Sequence, residues 1–373
     1  MKKVGFLFLN TIAHAMHMAT IAFQLATKSG YLVTLYVSTE ELKDELEKLS
    51  TSFPDSQFSV EFLYPSRLQR LLRLGKNRHH PRVRYVIKNN LQTLLQQDTL
   101  VTTDKYNHML GSRKTGYPLY IAADHGAGDR ACGFEDRYKN YDYILISGKA
   151  KMDRMLEKNL VTPEKGRMIG YPKFDITFQS EPESFFNNDN PVVVYNPHCK
   201  YNETSWHRWG RKIIEYFIKD QRFNLIFAPH VLLFQKNKDV PLEYYRAKNI
   251  KIDLHSERLS DMSYTKPADI YLGDVSSQVY EFIGYKSRPC IFLNTHKRNW
   301  KNNENFRMWK MGDVVNDLSA LETILMSALK NFNQYEPVQN ILREETFSLT
   351  SEPAGERGAR AIVEILESHQ AYK

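Results

Sequence analysis

Short apolar, strand-like runs alternate with helix-like runs along most of this 373-residue chain. That alternation constrains the fold more than any other feature. Strands separated by helical stretches bury both faces of a mostly parallel sheet. The first half offers strand candidates at 4–9, 31–37, 58–63, 99–102, 119–123 and 143–147. A helix-like run covers 13–28 and stops at Gly30. Ser38-Thr39-Glu40-Glu41 reads as a helix cap followed by a first-turn acid pair. Residues 178–190 change in character, with Gln179-Ser180-Glu181-Pro182-Glu183 and Asn187-Asn188-Asp189-Asn190-Pro191, and read as a linker. After it the alternation restarts, with strands at 191–195, 224–228, 250–254, 270–273 and 290–294 and a helix at 203–219. Helical stretches at 318–331 and 355–368 close the chain. The predicted fold class is α/β, two Rossmann-like domains facing a central cleft. The predicted domains are 1–178, 191–350 and a C-terminal helical segment, 351–373, placed to pack back on the first.

Length favours two domains, and 42% hydrophobic residues suffice for two cores. The formal net charge of +8 points to an anionic partner, such as a nucleotide, a phosphate polymer, nucleic acid or an anionic membrane. Cys132, Cys199 and Cys290 are widely spaced and odd in number, which argues against a disulfide framework or a zinc site and fits a reducing cytosol. No apolar run approaches the length of a transmembrane helix. The opening Met1-Lys2-Lys3-Val4 stretch lacks a small-residue cleavage site and reads as a first strand, not a signal peptide. Gly-x-Gly-x-x-Gly is absent after that strand, which disfavours a dinucleotide-binding oxidoreductase.

In open α/β sheets ligands sit beyond the carboxyl ends of the strands. Five predicted strand ends carry polar groups. The first leads to Asn10, His14 and His17. Others end in Asp124-His125-Gly126-Ala127-Gly128, Asn196-Pro197-His198, Pro229-His230 and Gly273-Asp274-Val275-Ser276-Ser277. Histidine exchanges protons near neutral pH, so His125, His198 and His230 are candidates to take a hydroxyl proton or hold a phosphate. Gly126 and Gly128 let backbone approach a ligand closely. Asp124 either orients the neighbouring imidazole or caps the turn. A helix predicted to start at Ser276-Ser277 offers unpaired N–H groups and partial positive charge to an anion. Asp274 either positions that loop or binds the ligand. Glu281 either reaches a ribose hydroxyl or lies on exposed helix surface. His14 and His17 share a helix face, but no carboxylate pattern makes them a metal site, and no metal is expected.

Eight basic residues lie between Arg67 and Lys88, and no acid occurs between Glu61 and Asp98. Leucines alternate with the arginines at roughly helical spacing. The segment 66–90 reads as an amphipathic stretch for an anionic membrane leaflet, or as a solvated basic helix or one side of an acceptor groove. No nucleic-acid motif accompanies the charge, so nucleic acid is not an expected partner.

These segments together resemble the CDP-glycerol glycerophosphotransferase family, the teichoic-acid primase and polymerase group with a GT-B-like fold. Asp124-His125-Gly126 is similar to the family's His-Gly motif, and Gly170-Tyr171-Pro172-Lys173-Phe174-Asp175 to its Gly-x-Pro-Arg-Phe-Asp stretch. Ala228-Pro229-His230 is similar to its Pro-His motif, and Asp274-Val275-Ser276-Ser277 to its Asp-Tyr-Ser-Ser motif. The resemblance spans roughly residues 120–295. Departures occur at Ala127-Gly128-Asp129-Arg130 and at Tyr195-Asn196-Pro197-His198-Cys199-Lys200. The chain looks like a shorter subgroup without the extra modules of the large polymerases.

The resemblance implies a metal-independent transferase that moves glycerol phosphate, or a related polyol phosphate, from a CDP-activated donor to a cell-envelope glycan or lipid-linked acceptor. His125 would be the catalytic base and His230 would assist the leaving group. Ser276, Ser277, Asp274, Gly126, Pro229, His198 and Glu281 would line the donor site. The expected location is cytoplasmic, peripheral at the inner face of the membrane. A GT-B glycosyltransferase acting on capsule or lipopolysaccharide, a non-catalytic binding partner and a sugar-nucleotide epimerase are the other readings.

Overall fold

The computed structural model describes residues 1–66, 82–103, 118–128, 133–234, 239–255, 258 and 260–371. The chain divides into two compact units. One comprises Met1–His125, Phe134–Gln179 and Phe347–Lys373, and the other Gly126–Gly133 and Ser180–Thr346.

The first unit holds a parallel sheet of β1 (Lys2–Phe8), β2 (Tyr31–Val37), β3 (Phe58–Phe62), β4 (Thr99–Thr102), β5 (Leu119–Ala123), β6 (Tyr143–Ile146) and β7 (Gly166–Met168). Its order is β3-β2-β1-β4-β5-β6-β7. The register is continuous: Val4 pairs with Val33 on one side and with Thr99 on the other. Val4, Phe6, Leu35, Val101 and Ile121 are fully buried, as parallel strands covered on both faces require.

The terminal helix Ala354–Ala371 packs on the Ala19–Leu25 helix of this unit. Glycines let the two approach: a Cβ at Gly355 would stand 2.5 Å from Thr20 Oγ1, and one at Gly358 2.8 Å from Ile21 Cγ1. Asp175 holds the start of the terminal helix by accepting the N–H groups of Ala354 (3.0 Å) and Gly355 (2.6 Å). The aspartate of the Gly-Tyr-Pro-Lys-Phe-Asp stretch is thus a helix anchor.

The second unit repeats the design with β8 (Val192–Asn196), β9 (Asn224–Phe227), β10 (Ile250–Ile252), β11 (Ile270–Gly273), β12 (Cys290–Leu293) and β13 (Asp313–Val315). Its order is β10-β9-β8-β11-β12-β13, again parallel. The order reverses between β8 and β11 here, and between β1 and β4 in the first unit. Such switch points open a crevice beyond the strand ends.

Several local expectations are corrected. The helix read over 13–28 is two pieces, Ile12–Ala15 and Ala19–Leu25, because Met18 leaves the helical region (φ −141°). The break carries His17 inward, where it is 6% exposed. The helix read over 203–219 opens with a π-helical turn, Trp206–Gly210, and is regular only over Arg211–Lys219. The helix Glu336–Phe347 and the edge strands β7 and β13 escaped the sequence reading.

Of the basic segment 66–90, residues 67–81 lie outside the described residues. The helix Val83–Asn89 buries Val83, Val86 and Ile87 and leaves Arg84 and Lys88 exposed. Among the described residues no helix is long and apolar enough to cross a membrane.

Candidate active site

At the switch point of the second unit, one carboxylate ties the loops after β8 and β11 together. Asp274 is 1% exposed. It accepts the N–H of His198 (2.9 Å), the N–H and hydroxyl of Ser205 (2.6 and 2.9 Å) and the N–H of Val275 (2.7 Å). Its own carbonyl accepts the Trp309 indole N–H at 2.8 Å. Burial pushes the Asp274 carboxyl up to about 6, against the pull of these four donors. Of the two roles read for Asp274, the geometry gives it the positioning one, since its oxygens are already occupied by protein donors.

His198 is buried and His230 half-buried, and their rings meet edge to face at 5.1 Å. The N–H of His230 donates to Pro197 O, which fixes the loop of Pro229 and His230 beside that of His198. Cys199 joins them, so that ligand atoms of His198, Cys199 and His230 lie within 4.8 Å of one another, as a metal ion would require. The widely spaced cysteines had hidden this juxtaposition. The tautomers favour a different ligand. The Lys200 N–H donates to Nδ1 of His198 (3.1 Å), and the Leu232 N–H to Nδ1 of His230 (3.2 Å). Glu203 Oε2 lies 3.4 Å from the same His198 nitrogen, farther than the backbone donor. A neutral imidazole that accepts at Nδ1 carries its proton on Nε2. Both rings thus carry their proton on Nε2, that of His198 lying 4.0 Å from Cys199 Sγ, and an N–H suits an anion where a metal would need a lone pair.

The helix after β11 is Gln278–Tyr285, with Ser277 at its N-cap position but no side-chain cap from it. Ser276 Oγ accepts the Gln278 N–H at 3.3 Å. The helix thus starts two residues later than Ser276, and Ser276, not Ser277, supplies the cap. Among the described residues the N–H groups of Ser276 and Ser277 have no protein acceptor. Unpaired N–H groups at a helix start bind anions. Glu281 is buried, so the exposed-surface reading of that residue fails.

Gly126 (φ +77°) and Gly128 (φ +153°) bring backbone against this helix start. A Cβ at Gly128 would stand 3.2 Å from Ser277 Cβ, and one at Gly126 3.9 Å from Ser277 Oγ. Both positions need glycine, one for its backbone angle and the other for angle and space.

In the first unit, His125 follows β5, half-buried, with its ring 4.3 Å from that of His14 and 6.5 Å from that of His17. Among the described residues the Asp124 carboxylate pairs with Lys151, a partner that neither reading of it foresaw. That lysine, like Ser205 and Trp309, escaped the sequence reading. Each pairs with a residue at least 27 positions away, and no periodicity announces such partners. Lys173 did carry a signal, since it stands in the Gly-Tyr-Pro-Lys-Phe-Asp stretch.

Two Rossmann-like units, each a parallel sheet with its own switch point, are the architecture of the GT-B class. Within that class the chain belongs to the CDP-glycerol:poly(glycerophosphate) glycerophosphotransferase family, whose model matches residues 76–364. Its reaction is transfer of glycerol phosphate from a CDP-activated donor.

Solved structures share the fold at low identity. The wall teichoic acid polymerase TagF superposes with a TM-score of 0.65 at 13% identity, covering 99% of this chain and 90% of that one. S. aureus MnaA, solved with UDP, gives 0.61 at 12%, covering 98% and 97%. A UDP-GlcNAc 2-epimerase from Neisseria meningitidis, bound to UDP-GlcNAc, gives 0.55 at 13%, covering 99% and 100%. No curated protein matches the chain in sequence.

Proposed function

We propose that the second unit holds the pyrophosphate of CDP-glycerol and that His125 of the first activates a hydroxyl of a cell-envelope acceptor, glycan or lipid-linked. The observation that carries this reading is the helix start beside the glycine loop, where Gly126 and Gly128 come up against Ser277 and, among the described residues, the N–H groups of Ser276 and Ser277 have no protein acceptor. The acceptor oxygen bonds to the β-phosphorus of the donor. The bond from that phosphorus to the oxygen bridging the α-phosphate breaks, and CMP leaves with the electron pair. The hydroxyl proton passes to His125. Negative charge growing on CMP is met by the helix start and by the N–H groups of His198 and His230. Pro197 O holds the N–H of His230, which follows Pro229, and Asp274 holds that of His198. Glu281, buried in the same helix, faces the donor's ribose in this reading.

No step needs a metal ion, because protein N–H groups supply the positive potential. TagF, which has been solved as a histidine-to-asparagine variant soaked with CDPG, supports a CDP-linked donor. It also makes a teichoic-acid type of acceptor the first to try. The basic segment 66–90 is the part of the chain suited to an anionic membrane surface, a reading that rests on sequence.

Thermal stability of the full chain tests the donor. A ligand that binds only the native state raises the melting temperature. CDP-glycerol and CDP are expected to do so, equally with EDTA present. The Ser276→Ala/Ser277→Ala variant should bind about tenfold or more weakly, since each hydroxyl bond to a charged group contributes about 1.5–3 kcal/mol. A response confined to UDP-sugars, or one abolished by EDTA, would sink this reading.

A further inference from the structure

We propose that Trp309 is a positioning residue for the transfer: its indole N–H clamps the peptide that opens the loop Asp274–Ser277 and so holds the N–H groups of Ser276 and Ser277 toward the donor pyrophosphate. The inference rests on the proposed donor site and deepens it, by naming what keeps that site in shape before the donor arrives.

Trp309 stands outside every motif read from the sequence. It lies 35 residues beyond Asp274, in the 3-10 segment Glu304–Met311, and is 2% exposed. A buried indole N–H needs an acceptor. Here it donates to the Asp274 carbonyl at 2.8 Å. The N–H of Val275, at the other end of the same peptide, donates to the Asp274 carboxylate at 2.7 Å. One peptide unit is therefore held at both its oxygen and its nitrogen. Because a peptide is planar, its plane is then fixed. Only the φ and ψ of Val275, itself buried, separate that plane from the peptide that carries the Ser276 N–H.

The clamp is stiff. The Trp309 ring stacks on Phe292 of β12 (6.2 Å, 27°) and meets Phe306 and Trp300 edge to face at 4.9 and 5.9 Å. A second brace comes from β11. The Tyr271 ring folds against Gly273, where a Cβ would stand 2.7 Å from it, and its hydroxyl donates to Asn196 Oδ1 at 3.2 Å.

A loop that presents unpaired N–H groups needs such support. Backbone donors without acceptors cost free energy, so the loop would gain by turning them back onto protein oxygens. Among the described residues the N–H groups of Ser276 and Ser277 have no protein acceptor. A bond to the Asp274 carbonyl from an element outside the loop opposes that collapse. The N–H groups then meet the charge growing on the leaving group without rearranging. Asp274 is thus held at two places: its carboxylate gathers the neighbouring loops, and its carbonyl receives the clamp.

Kinetics of CMP release from CDP-glycerol with a glycerol-phosphate acceptor test the role, with calorimetry of CDP binding alongside. Trp309→Phe keeps an aromatic ring in the cluster and removes the N–H. Benzothienylalanine at position 309 has the shape of the indole side chain and no N–H, and serves where phenylalanine unfolds the protein. In both variants the KM for CDP-glycerol and the Kd for CDP should rise about fivefold or more, the order of one hydrogen bond. The KM for the acceptor should change less than twofold. A donor KM unchanged in a folded variant overturns the inference. So does an equal rise in both KM values, which would make Trp309 a core residue and nothing more. Either result leaves the donor site standing. Wild type that neither binds CDP nor releases CMP from CDP-glycerol overturns the donor reading and this inference together.

Discussion

Replacing His125 with alanine should lower turnover by about 10²–10⁴-fold, the usual contribution of a positioned base. CDP binding should stay within a few-fold of wild type. The residue follows β5 and is half-buried, with its ring tilted 31° against that of His14 and no place in the main hydrophobic core. Its loss therefore costs little stability, and the effect should fall on kcat. Release of CMP in the presence of a glycerol-phosphate acceptor is the measurement. Asparagine at 125 keeps polarity and size but cannot take up the proton, so it should be nearly as poor. Turnover unchanged in both variants would remove His125 from the chemistry.

A second large effect is expected in stability. Asp274→Ala strands three buried backbone N–H groups and the Ser205 hydroxyl. Each unsatisfied donor costs about 1–3 kcal/mol, and partial relaxation should bring the total to about 3–5 kcal/mol. The pH dependence has a definite sign. Burial raises the carboxyl to about 6 in the folded protein, against about 3.9 in an unfolded chain. The folded state thus holds this proton more tightly. The contribution is fully present below the unfolded value and is lost as pH rises through about 6. The stability advantage of wild type over Asp274→Ala should therefore shrink between pH 4 and pH 7, by on the order of 3 kcal/mol. Urea unfolding of both proteins across that range measures it. An advantage that grows with pH would mean that the four donors outweigh burial.

Much of the fold was legible because parallel strands covered on both faces are short, continuous apolar runs. Tyr31–Val37, Thr99–Thr102, Leu119–Ala123 and Ile270–Gly273 coincide with the sequence reading to the residue. The exceptions follow from the same physics. Gly166–Met168 and Asp313–Val315 are three-residue edge strands with no apolar run to notice. The helix over 13–28 was read as continuous because its apolar residues are, yet the chain turns at Met16–Met18 to bring His17 inside.

Sequence by itself determined the α/β class, the strand ends that carry polar groups and the family, because each of these depends on local pattern. Tertiary structure alone decided what those polar groups do. Asp274 and Ser205 are 69 residues apart, and Lys151 and Asp124 27 apart. Only packing of the loops beyond the strand ends makes Asp274 an anchor, pairs Asp124 with a lysine, and turns His198 and His230 into N–H donors. Such contacts depend on which loops the sheet order brings side by side, and no residue's own neighbours in the chain record that order.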